Sequence, residues 1–175
     1  TIELEHAIGF AGVPAGLHYL PDGQNFVYAA GACIVVSNFD NPHEQTFLRG
    51  HDKDVTCMSI SKTGKYLASG QYGENADVIV WDLEAKKMLY RFSKSQNIAN
   101  TTARCCVIFV DSGHHDVGIS CVAFSDDELL LASVGDPTDD KKIFIWDMRT
   151  GAIVTSTSQK FPTTCVTWGG MVRNV

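Results

Sequence analysis

The sequence predicts an all-β fold: a segment of a β-propeller, with about three four-stranded blades and a single strand at each end. Three observations predict it. Gly50-His51 and Trp81-Asp82 bracket one pair of short apolar runs, and Gly113-His114-His115 and Trp146-Asp147 bracket another. The runs alternate with period two, as strands packed on one face do, rather than with the 3.6 period of helices. The internal spacings agree as well. Ser61 to Ser69 and Ser125 to Ser133 are both 8 residues, and Ser69 to Trp81 and Ser133 to Trp146 are 12 and 13.

Superimposing the units sets the register. Val55-Thr56-Cys57-Met58-Ser59-Ile60, Ile119-Ser120-Cys121-Val122-Ala123-Phe124 and Thr163-Thr164-Cys165-Val166-Thr167-Trp168 align so that Cys57, Cys121 and Cys165 coincide. Cys121 and Cys165 are 44 residues apart, a normal blade length, whereas Cys57 and Cys121 are 64 apart, which places an insert at 94–111. Upstream, Pro21-Asp22-Gly23-Gln24-Asn25-Phe26-Val27 resembles Ser61-Lys62-Thr63-Gly64-Lys65-Tyr66-Leu67, each a turn with a Gly followed by an aromatic and an aliphatic residue; Gly23 and Gly64 are 41 apart, and Ser37-Asn38 stands where Trp-Asp would. The expected order is a lone strand at 2–10, a degenerate blade one at 15–49, blade two at 50–93 and the insert at 94–111. Blade three follows at 112–158, and the first strand of a further blade at 162–170. Strands are expected near 15–20, 25–30, 33–37 and 44–49, then 55–61, 65–71, 77–82 and 87–92, then 119–125, 129–134, 142–147 and 152–157. Residues 81–89 contain helix formers, but the register makes them a turn into a fourth strand.

Composition narrows the function. Of 175 residues, 45% are hydrophobic and 19% charged, with 14 Lys+Arg against 20 Asp+Glu and a net charge of −6. No run of five basic residues occurs, so nothing predicts binding to nucleic acid or an anionic membrane. The longest apolar stretches fall well short of the roughly 20 residues that span a bilayer, and the acidic N-terminus lacks a signal-peptide layout. The six cysteines, three at one repeated strand position, read as buried free thiols in a reducing compartment.

Each well-formed unit repeats a polar set. In blade two it is His51, Ser69, Asn75 and Trp81; in blade three it is His115, Ser133, Asp140 and Trp146. Gly113-His114 is the more literal dipeptide, but the 64-residue offset selects His115. An indole N–H only donates, a hydroxyl passes a bond on, and an imidazole links it to a carboxylate or amide. Buried between sheets, such groups satisfy one another. Ser, His and Asp also suggest a hydrolase, but recurrence once per blade without a nucleophile elbow favours a structural tetrad and no catalytic site. His114-His115-Asp116 and Asp136-Pro137-Thr138-Asp139-Asp140 have neither zinc nor calcium-loop spacing, and no phosphate-binding glycine motif occurs, so no metal or cofactor is expected.

Gly-His and Trp-Asp closing alternating strands are the marks of a WD40 blade. Beyond them, Glu5-His6-Ala7-Ile8-Gly9-Phe10, Arg49-Gly50-His51, Ile60-Ser61-Lys62-Thr63-Gly64-Lys65-Tyr66-Leu67-Ala68-Ser69-Gly70-Gln71, Ala76-Asp77-Val78-Ile79-Val80-Trp81-Asp82 and Pro162-Thr163-Thr164-Cys165-Val166-Thr167-Trp168 carry a closer likeness. Outside 94–111, the chain resembles the N-terminal region of a WD40 family of ciliary and flagellar axonemes, and it is similar to the echinoderm microtubule-associated protein-like family. The resemblance implies a non-enzymatic scaffold of cytoplasm, cytoskeleton and cilium or flagellum, an inner protein of doublet microtubules that contacts tubulin and other inner proteins. It also implies a longer protein with two seven-bladed propellers; an open arc leaves apolar faces and strand edges exposed, so this segment expressed alone is expected to aggregate or to need a partner. A WD40 adaptor of another intracellular complex is the alternative.

Overall fold

The computed structural model describes residues 6–74, 76–93, 115–138 and 141–169. Among them are twelve strands and no helix. Blade one comprises β1 (Leu17–Tyr19), β2 (Asn25–Ala30), β3 (Cys33–Asn38) and β4 (Gln45–Arg49). Blade two comprises β5 (Val55–Ile60), β6 (Tyr66–Gln71), β7 (Val78–Asp82) and β8 (Lys87–Phe92). Blade three comprises β9 (Ile119–Phe124), β10 (Leu130–Gly135), β11 (Lys142–Asp147) and β12 (Ile153–Ser158). Each blade is an antiparallel meander whose strands pair in chain order.

The turns explain the meanders. Asn38, Asp82 and Asp147 close the third strand of each blade, and their side-chain Oδ1 accepts backbone N–H groups two or three residues on. The donors are Asp40 and Asn41, then Ala85, then Arg149 and Thr150, at 2.7–3.2 Å. Such Asx turns reverse the chain without a further partner. Earlier in blades two and three, Ser61 Oγ and Ser125 Oγ accept the N–H of Tyr66 and Leu130 across the first hairpin.

Pairing fixes which face each residue takes. Leu67 pairs with Trp81 and Ser69 with Ile79, so these four share one face of blade two; Ala68, Val78 and Val80 share the other. The first face packs on blade one, in a core with Val27, Ala29, Ile34 and Leu48. The second packs on blade three, in a core with Val122, Leu131, Phe144 and Trp146, where the Phe92 and Trp146 rings stack 4.0 Å apart. Each Trp therefore fills the seam between its own blade and the preceding one. Gly70 lies at this second seam: a Cβ there would come within 2.6 Å of Ile119, so only glycine lets the inner strands approach.

The expected end strands differ from the structure. Residues 6–13 of the 2–10 segment and its sequel form no strand, and 1–5 lie outside the described residues. Gly9 and Gly12 adopt positive φ, and the Ala7 N–H bonds the Gln45 side chain rather than a ladder. Residues 162–169 form no strand either. They run along β9 through side-chain bonds, Ser120 Oγ to Thr163 O and Trp168 Nε1 to Ala123 O, and not through a backbone ladder. The insert at 94–111 lies outside the described residues. The thiols also depart from uniform burial: Cys57 is buried, Cys33 and Cys121 are half-buried, and Cys165 is exposed.

Candidate functional site

The polar sets converge where the sequence puts them on adjacent strands. Trp81 Nε1 donates to Ser69 Oγ at 2.8 Å, and Ser69 Oγ lies 2.7 Å from His51 Nε2. His51 Nδ1 lies 2.7 Å from Gln71 Oε1, which also accepts the Asp52 N–H. Because an amide oxygen only accepts, Nδ1 carries the proton and Nε2 accepts from the Ser69 hydroxyl. The chain of bonds runs from indole through hydroxyl to a neutral imidazole and ends on an amide. Burial, opposed by the Gln71 bond, lowers the His51 pKa to about 4, which suits this neutral form.

Blade three repeats the core of the arrangement. Trp146 Nε1 donates to Ser133 Oγ at 2.9 Å, and Ser133 Oγ lies 2.9 Å from His115 Nε2. His115, not His114, takes this position. Ser69 and Ser133 are fully buried. Asn75 and Asp140 lie outside the described residues, and at His51 Nδ1 the bonded partner is Gln71. Gln71 escapes a search for recurrence because the same register position in blade three is Gly135.

The glycine of Gly-His has a packing reason. A Cβ on Gly50 would lie 3.0 Å from the Trp81 indole and against the Met88 methyl, so a hydrogen is what lets the loop close over the ring.

Two further polar features accompany the sets. Thr56 and Ser120 sit in bulges of β5 and β9, where the ladder skips a residue. Their hydroxyls reach the next unit inward: Thr56 Oγ1 donates to Ile119 O at 2.5 Å and Ser120 Oγ to Thr163 O at 3.4 Å. These hydroxyls tie each inner strand to the backbone of the next unit, and the aligned Thr56, Ser120 and Thr164 are their trace in the sequence. On the rim of blade two, Arg91 donates to buried Asp77 (2.7 Å) and to exposed Asp52 (2.6 Å). Burial pushes the Asp77 carboxyl above its usual value even with Arg91 against it.

Two open hollows lie between blades one and two, of about 440 Å³ beside Asp52, Asp54, Tyr72 and Glu74 and about 270 Å³ beside Pro21, Asn38, Thr63 and Lys86. Neither is lined by His51, Ser69 or Trp81.

Three stacked meanders, each ending its third strand on an Asx turn and two holding an indole–hydroxyl–imidazole chain, define a WD-repeat propeller in partial form. Residues 42–82 and 104–147 match the family described as WD domain, G-beta repeat. The first match starts one strand before the blade, taking in β4 together with β5, β6 and β7. Among individual proteins, the chain is similar to cilia- and flagella-associated protein 52. It is 36% identical to that of Chlamydomonas reinhardtii over 168 residues, covering 93% of this chain and 24% of the relative. The Homo sapiens protein of the same name is 36% identical over 151 residues, covering 84% of this chain and 21% of the relative. WD repeat-containing protein 90 of Mus musculus is 26% identical over 161 residues, covering 89% and 7%. The chain thus spans about a quarter or less of the length of these relatives. A solved structure described as U3-55K superimposes with a TM-score of 0.66 over 90% of this chain and 43% of that one. Its 22% identity speaks for the fold alone.

Proposed function

We propose that this chain is a non-enzymatic WD40 scaffold segment of the ciliary and flagellar axoneme, an inner component of doublet microtubules that docks against tubulin and neighbouring inner proteins. The observation that carries it is the 36% identity to cilia- and flagella-associated protein 52 along 93% of the chain. The site chemistry supports it. Ser69 is sealed from solvent, His51 has both ring nitrogens engaged, and neither hollow opens onto them. A hydroxyl that no substrate can reach serves as a tie, so His51, Ser69 and Trp81, with His115, Ser133 and Trp146, are internal supports; the same role is expected of Asn75 and Asp140, which lie outside the described residues. The surface left for function is the loops and blade faces, and the acidic balance suits a partner other than nucleic acid.

The test uses the full-length protein, tagged, in a ciliated cell. Isolated axonemes are extracted first with detergent, then with high salt, then with a reagent that dismantles doublets. The expected result is retention through the first two steps and release with the doublet walls. Recovery in the detergent-soluble fraction, or in a complex without tubulin, overturns the proposal and favours an adaptor of another assembly.

A further inference from the structure

The inner strands carry more than packing. Cys121 on β9 and Cys165 on the segment beside it converge on one backbone oxygen. Cys121 Sγ lies 3.8 Å from Val166 O and Cys165 Sγ 3.9 Å from the same atom. Their surroundings differ in a useful way: Cys165 is exposed and Cys121 half-buried, while Cys57, at the same register in blade two, is buried. Burial pushes the Cys57 thiol up to about 12, which leaves it inert beside the other two.

We propose that Cys121 and Cys165 form a dithiol site that a low-molecular-weight disulfide converts to a disulfide, stapling β9 of blade three to the segment that follows the blade. In the first step the Cys165 thiolate attacks glutathione disulfide; a Cys165–glutathione bond forms and one glutathione thiolate leaves. In the second, Cys121 loses its proton to that thiolate and attacks the Cys165 sulfur, expelling the second glutathione. Two protein thiols are oxidised and one glutathione disulfide is reduced to two thiols, so protons and electrons balance. Accessibility orders the steps: the exposed sulfur meets the oxidant, and the half-buried one resolves it. The Ser120 hydroxyl beside Cys121 already bonds Thr163 O, so the backbones to be joined are held together before any sulfur reacts.

The experiment takes the full-length protein with Cys105→Ser and Cys106→Ser, so that no other cysteine shares the Cys121 tryptic peptide. It is equilibrated with glutathione disulfide, quenched with an alkylating agent and mapped by mass spectrometry. The expected product joins peptides 105–141 and 161–173, lighter than their sum by two hydrogen atoms. Adding Cys121→Ser is expected to stop the reaction at a glutathione adduct on Cys165. Adding Cys165→Ser is expected to slow loss of the Cys121 thiol by about tenfold or more, since the resolving step is intramolecular. Serine keeps size and hydrogen bonding at both positions, and circular dichroism of each variant checks the fold. A parent protein that stops at the Cys165 adduct, that leaves both thiols free, or that links either cysteine elsewhere overturns the proposal.

Discussion

Blades one and two share a backbone and differ in what fills it. Both are four-stranded meanders, and Phe26–Ser37 in one is the register pair that Leu67–Trp81 is in the other. In blade two that pair and its neighbour Ser69 support the chain from Trp81 to His51 and Gln71. In blade one Tyr28 stands at the Ser69 position and Ser37 at the Trp81 position, and no imidazole follows. The space is taken by rings instead: Phe26 lies 5.8 Å from Tyr28 and 4.7 Å from Phe39, which stacks on Tyr19 at 5.4 Å. The Tyr28 hydroxyl donates to Ala7 O, and Gln45 takes both the N–H and C=O of Ala7, so the preceding segment is tied down by other means. The meander and its Asx turn therefore make a blade. The polar chain is an additional lock that ties the incoming loop to the sheet's second and third strands.

The largest expected effect breaks the lock at its bulkiest member. Trp81→Ala removes a buried indole from the seam between blades one and two and leaves the Ser69 hydroxyl without its donor. A large-to-small change of this kind costs about 3–5 kcal/mol, and losing the bond adds to it. Ser37→Ala at the equivalent place in blade one removes one buried hydroxyl and no ring, with an expected effect of at most about 1 kcal/mol. Urea unfolding of the two full-length variants checks the contrast. Equal shifts in midpoint would show that blade one relies on that position as much as blade two does.

How far the sequence reveals these differences depends on recurrence. His51, Ser69 and Trp81 are legible because the unit repeats them, and the strands because a half-buried sheet forces alternation on Val55–Ile60 and Ile119–Phe124. Gln71 is not legible, since it serves one blade only. The Thr56 and Ser120 hydroxyls were hidden for another reason: a polar residue in an alternating strand looks like an outward-facing position until a bulge turns it inward. The end segments mislead because alternation records which residues can form a strand, and a ladder also needs a partner backbone aligned with it. Residues 163–168 meet β9 through the Ser120 hydroxyl and the Trp168 indole and form no ladder with it.

The second prediction concerns acid. His51 has its folded pKa lowered from 6.5 to about 4, so the unfolded chain binds its proton first as pH falls. The stability this group contributes is complete above about pH 6.5 and is lost as pH drops toward 4, at up to about 1.4 kcal/mol per pH unit and about 3 kcal/mol in all. Asp77, raised by burial, titrates in the opposite sense, so the parent alone does not isolate the effect. His51→Asn removes the titration: its unfolding free energy, lower at pH 7, is expected to fall less between pH 6.5 and 4 than the parent's. Hydrogen exchange should show protection lost in β6 and β7 before β2 and β3, because blade one holds no such histidine. Parallel pH profiles for parent and variant would remove His51 from the account.

The smallest effect tests what the blades hold in common. Asn38, Asp82 and Asp147 each accept backbone N–H groups just past the third strand, and they differ in little else that matters to the turn. If the turn makes the blade and the polar chain only locks it, alanine at each position should lower stability by a similar, modest amount. About 1 kcal/mol is expected, by analogy with side chains that cap backbone donors at helix starts. Asn38→Ala also loses a 3.1 Å bond to Asn25, which places it at the upper end of the three. Asp147→Ala also loses a contact with Arg149 that is exposed and so adds little. A much larger effect at Asp82 and Asp147 than at Asn38 would mean that turn and lock act as one unit, and that blade one closes by its aromatic stack alone. Double variants decide between the two: Asp82→Ala combined with Ser69→Ala should be additive if the elements are separate, and sub-additive if they are coupled.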